Sequence, residues 1–129
     1  MIESAIHELL STRYEIEQHC ADRIYHVPLP ADVRMPAITY SLQSVDDDHD
    51  YDGPGITASD LQIDAWGADP TSAARIAQQI NGVLGRFRGD VMGERILGIY
   101  RRVVRVAHEP EAGGWRKSQI FEIYHEEAN

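Results

Sequence analysis

The feature that most constrains this chain is a change in the period of its apolar residues. Ile2, Ile6, Leu9 and Leu10 recur at helical spacing, with Glu3, His7 and Glu8 between them, which predicts an amphipathic helix over 2–12. Ile16 and Cys20 prolong a weaker helical stripe, and Pro28, Pro30 and Pro36 then break regular structure, predicting a loop over 26–35. From 37 to 45 the period falls to two: Ile38, Tyr40 and Leu42 alternate with Thr39, Ser41 and Gln43. The same alternation returns over 60–66, where Leu61, Ile63 and Ala65 oppose Gln62, Asp64 and Trp66. Two half-buried strands therefore flank the segment 46–58, which reads as the long turn of an antiparallel hairpin.

The helical period then resumes. Asp69 offers an N-cap side chain and Pro70 suits the first helical position. Ala73, Ile76, Ala77, Ile80, Leu84 and Phe87 trace one face, with Gly85 and Gly89 marking an end near Phe87. Gly82 lies inside this helix and weakens it by up to about 1 kcal/mol relative to alanine, so the helix is expected to depend on packing against a sheet. Residues 96–106 are rich in β-branched side chains and predict a third strand. Pro110, Gly113 and Gly114 make a turn, and 117–125 predict a fourth strand. Ile120 and Tyr124 lie on one face of it and Phe121 and Ile123 on the other, as in a strand covered twice. The expected fold is α+β: an antiparallel sheet of about four strands with helices packed on one face, in the order α-β-β-α-β-β.

Length and charge bound what such a fold can do. The 129 residues suit one domain, 1–129, which buries roughly two-thirds of its unfolded surface. One cysteine, Cys20, permits neither an internal disulfide nor a cysteine-based zinc cluster, which fits a reducing compartment. The first residues show no secretory pattern, and no apolar run approaches the ~20 residues of a membrane span. A formal charge of −9 repels nucleic acid and anionic lipid at long range.

Three constellations bear on chemistry. Asp46, Asp47, Asp48, Asp50 and Asp52, with Tyr51 among them, crowd the predicted hairpin tip. Asp48, Asp50, Asp52 and Gly53 match the opening of a calcium loop, but its twelfth position, where a bidentate glutamate belongs, is Ser59. The residues thus read as a solvated or partner-contacting tip, with a calcium-binding module as the alternative. A two-metal hydrolase would need such carboxylates on rigid strands. His7, His19, His26, His49, His108 and His125 show no zinc-site spacing, and Cys20 on an apolar helical face reads as a small core residue. Arg101, Arg102 and Arg105 make the third strand basic. Strand alternation puts Arg101 and Arg105 on one face and Arg102 on the other, as a candidate interface for an acidic neighbour or for passing DNA. No catalytic residue, metal ligand or cofactor motif is assigned.

The ordered pieces resemble those of the phage tail-completion family, which includes tail-terminator and tail-to-head joining proteins. The resemblance runs over about 5–125. It comprises the N-terminal helix, Asp22-Arg23-Ile24-Tyr25, the prolines Pro28 and Pro30, and Met35-Pro36-Ala37-Ile38-Thr39-Tyr40. Leu61-Gln62-Ile63-Asp64-Ala65-Trp66, an alanine-rich helix from Ser72 to Leu84 and a closing strand through Phe121 and Tyr124 complete it. It implies a non-enzymatic virion protein, made in the host cytoplasm. Such a protein forms a ring, typically of six subunits, that ends the tail tube and contacts tube and neck proteins, with DNA only passing through its lumen. The hairpin loop of 46–52 would face that lumen or a neighbouring ring. A head-side neck completion role is the alternative within the same setting.

Overall fold

The computed structural model describes residues 2–47 and 55–128. In chain order the elements are helix α1 (Ile2–Ser11), helix α2 (Tyr14–Cys20), and strands β1 (Ile24–His26), β2 (Ala37–Asp47) and β3 (Thr57–Gly67). Helix α3 (Pro70–Leu84), strands β4 (Gly89–Val91) and β5 (Glu94–Glu109), a 3₁₀ turn (Pro110–Ala112) and strand β6 (Gly114–Glu127) follow. All six strands join one curled, half-barrel sheet in the order β1-β2-β3-β6-β5-β4.

This corrects the expected four-stranded antiparallel sheet and its α-β-β-α-β-β order. The two extra strands, β1 and β4, are three residues each, too short for any period to show. β1 also runs parallel to β2, pairing Ile24 with Ile38 and His26 with Tyr40, so the sheet is mixed. The other neighbouring pairs are antiparallel. A third helix arises because the helical backbone breaks at Thr12 and Arg13, where Arg13 is extended and α2 restarts.

The helices pack on one face of the sheet. Ile2, Ile6, Leu9 and Leu10 of α1 and Ile76, Ile80 and Leu84 of α3 join Ile38, Leu61, Ile63, Phe121 and Ile123 in a single apolar cluster. Asp69 caps α3, its carboxylate accepting from the Ser72 backbone N–H at 2.7 Å. The end of β3 comes so close to this helix that a Cβ on Gly67 would lie 2.5 Å from the Ala73 nitrogen. Gly114, at the start of β6, meets the Gly67 carbonyl as closely, at 2.6 Å, so neither position has room for a side chain.

Both long hairpins extend further than their alternation predicts. β2 and β3 run to Asp47 and from Thr57, so Asp46 and Asp47 belong to a strand end and not to the turn. The rest of the predicted tip, with Asp48, Asp50, Tyr51 and Asp52, lies outside the described residues.

Candidate assembly interface

The pairings define rows that cross the sheet from β2 to β5. One row is Asp46–Ala58–Tyr124–Gly98, another Ser44–Asp60–Glu122–Tyr100, and a third Ser41–Gln62–Ile120–Val103. β1 occupies the outer side of β2 only at Ile38–Tyr40, so among the described residues Ser41–Asp47 have no outer strand partner. β4 occupies the outer side of β5 only at Glu94–Ile96, and β5 from Gly98 onward has no outer strand partner among the described residues. Each side of the sheet thus ends in unpaired backbone N–H and C=O groups, which can template pairing with another chain.

The β5 edge carries apolar and basic side chains together. Tyr100 is 52%, Val104 42% and Val106 58% exposed, and Arg101, Arg102 and Arg105 are exposed as well. Tyr100 stands edge-on to Tyr124, with ring centroids 5.9 Å apart, and its ring covers Gly98. The predicted facing of the arginines is corrected by a bulge between Arg101 and Val103. A bulge adds one residue and shifts the alternation beyond it. Arg101 therefore lies on the helix-covered face, donating to the Gln119 side-chain oxygen at 3.2 Å. Arg102 donates to the Asp60 carboxylate at 2.9 Å and approaches Glu122 at 3.7 Å, and Arg105 pairs across from Ser118 on that same helix-free face.

The helix-free face is polar yet ordered. Trp66 Nε1–H donates to Thr39 Oγ1 at 2.9 Å, and Thr39 Oγ1–H to Asp64 at 3.4 Å. The Gln62 amide donates to the other Asp64 oxygen at 3.0 Å, and Arg116 lies between Asp64 and Glu109, 2.9 Å from the latter. Thr39 and Asp64 are buried in this network. Buried polar groups are tolerated where they find partners, and all of these but Arg116 Nε do; the Arg116 guanidinium lies over the buried Trp66 ring.

Sequence reading missed one relay altogether. Ser59 Oγ lies 2.7 Å from His125 Nε2, and His125 Nδ1 lies 3.1 Å from Glu94 Oε2. The order serine, histidine, carboxylate matches that of hydrolytic triads. Here Ser59 is 1% exposed and shares the helix-covered face with Ile123, so the relay ties β3, β6 and β5 across the sheet. Its members are 66 and 31 residues apart and come together only through strand register.

The remaining sequence candidates stay apart. Cys20 is buried, and burial pushes its thiol up to about 11, against the opposing pull of Arg23. His7 meets the Tyr40 hydroxyl, His26 meets Glu3, and both imidazoles stand edge-on to the Tyr40 ring. Among the described residues no group of three or more His, Cys, Asp or Glu side chains is placed to hold a metal ion, and no helix is long and apolar enough to cross a membrane. Most positions of the partial calcium-loop match lie outside the described residues.

A helix-backed sheet whose two sides end in open strand edges can join other chains by strand pairing. Residues 4–126 match the model of the family described as tail completion protein gp17, and the chain belongs to that family. It is accordingly a structural protein of the phage tail and a virion component. The fold is shared with a solved chain from "Virion of native gene transfer agent (GTA) particle". The TM-score is 0.82 over 96% of this chain and 93% of that one, at 15% identity. No curated protein matches the chain.

Proposed function

We propose that this chain forms a ring of about six copies that ends the tail tube and joins the finished tail to the neck. The observation that carries the reading is the pair of unlike open edges on opposite sides of one sheet. An edge that pairs with a different edge of the next copy makes a head-to-tail contact, and such contacts close into rings when the rotation allows. Membership of a tail completion family supports this reading, in which tube protein lies on one side of the ring and neck protein on the other.

In this reading Asp46 and Asp47, at the outer end of the β2–β3 hairpin, lead the acidic segment toward the lumen or a neighbouring ring. Like charge there keeps DNA from adhering as it passes. Assembly in the host cytoplasm precedes incorporation into the virion.

The test is deletion of the gene from a phage that encodes it, followed by electron microscopy of the products. Tails of irregular length, or finished tails not joined to heads, are expected. Normal particles with tails of normal length would overturn the proposal. For the acidic segment, converting Asp46, Asp47, Asp48, Asp50 and Asp52 to asparagine should slow DNA delivery without blocking assembly. Unchanged delivery would refute the role in the lumen.

A further inference from the structure

We infer that adjacent copies join by antiparallel pairing of Gly98–Val103 of one copy with Ser41–Asp46 of the next, so that one sheet runs continuously from subunit to subunit. This rests on the ring reading and specifies the contact that would build it.

The rows across the sheet carry the argument. β1 blocks the β2 edge at Ile38–Tyr40, which lie in the rows of Val104–Val106 on β5. β4 blocks the β5 edge at Glu94–Ile96, and Ile96 lies in the row of Asp47 on β2. Between these two blocks both edges are open over the same rows. Ser41 is level with Val103, Ser44 with Tyr100 and Asp46 with Gly98. Two copies placed side by side thus present windows at matching height, each bounded by a different short strand. Strand direction fits as well. Three antiparallel pairings separate β2 from β5, so β5 of one copy runs antiparallel to β2 of a copy set beside it in the same orientation.

Charge selects unlike edges. β5 carries Arg95, Arg101, Arg102 and Arg105 against Glu94 and Glu109, whereas β2 over Ser41–Asp47 carries Asp46 and Asp47 and no base. Pairing β5 with β5 antiparallel over this window would bring Arg101 and Arg102 of two copies to neighbouring positions near its centre, and like charges there destabilise cross-strand contacts. Pairing β5 with β2 does not, and its product is head-to-tail. Both windows also contain a bulge, between Leu42 and Ser44 and between Arg101 and Val103. Bulges bend and twist a strand, so a sheet continued through them turns, as closure into a ring needs.

The experiment is disulfide trapping in assembled particles. In a Cys20→Ala background, Ser44→Cys and Tyr100→Cys are combined in one chain. Opposed Cβ atoms in an antiparallel pair sit about 4.5–5.5 Å apart, close to what a disulfide spans. Mild oxidation of intact virions should give a ladder of covalent multiples on non-reducing gels. Each single variant should give none. Ser44→Cys with Val106→Cys, whose rows differ, should give at most a trace.

A ladder from the shifted pair but not the matched one, or dimers from a single variant, would overturn the inference. So would rings visible in the particles with no ladder from the matched pair, and in that case the ring reading would survive. Particles that contain the chain in no ring would sink both. Infectivity of the reduced double variant, together with its circular dichroism, confirms that the trapped protein is folded.

Discussion

The two faces of the central strands β3 and β6 are ordered by different forces. Toward the helices, Leu61, Ile63, Phe121 and Ile123 are 0% exposed and make the middle of the apolar cluster. Toward the other side, the same strands carry Asp60, Gln62 and Asp64 beside Arg116 and Glu122, joined by hydrogen bonds and ion pairs. Burial of apolar area is non-directional and large, whereas a hydrogen bond adds a net contribution of only about 1 kcal/mol because water competes for the same groups. The covered face therefore holds the fold, and the helix-free face together with the edges can be polar and remain available for contacts.

Substitutions on each face can break or sharpen this contrast. Phe121→Ala, in the centre of the covered face, should cost about 3–5 kcal/mol in urea unfolding, through lost transfer energy and the cavity left behind. A cost below about 1 kcal/mol would show that the helices do not carry the fold. Asp64→Ala, on the other face, should cost about 1–3 kcal/mol because the buried Thr39 hydroxyl loses its acceptor. A loss equal to that of Phe121→Ala would erase the distinction between the faces.

Gly82→Ala should strengthen the helical cover by about 0.5–1 kcal/mol, read as a higher Tm. A Cβ there meets nothing within 4 Å. Arg102→Ala should change monomer stability by less than about 1 kcal/mol, since its pairs with Asp60 and Glu122 are half exposed. A larger loss would mean that the edge arginines serve the fold rather than the surface.

Cys20 gives a test of the covered face by pH. Its thiol is raised by burial from an ordinary 9.0 to about 11, so the neutral form is favoured in the folded chain. The stability this contributes is complete below pH 9.0 and is lost as pH rises through about 11. Thiol labelling at pH 8 should be slow in the native protein and rapid in urea.

Much of the architecture was legible along the chain. The alternations over 37–45 and 60–66 marked β2 and β3, and Asp69 with Pro70 marked the start of α3, because each signal lies within a few neighbouring residues. β1 and β4 escaped because three residues carry no period, and their strand character comes from the partners beside them. The break between α1 and α2 escaped because the apolar stripe continues past it to Ile16 and Cys20.

The candidate surface was legible only in part. The basic residues of β5 stood out by composition. The bulge that sets Arg105 with Arg102 instead of Arg101 depends on pairing with β6 and leaves no local trace. The same holds for the Ser59–His125–Glu94 relay.

By itself, the sequence determined the helices, the long strands and the likeness to tail-completion proteins, because propensity and side-chain period act between near neighbours. Tertiary structure alone decided the strand order, the parallel β1, the bulges and the matching of the two open windows. Those depend on which distant segments come to lie side by side, and hydrogen bonding between strands is satisfied in space with no regard to separation along the chain.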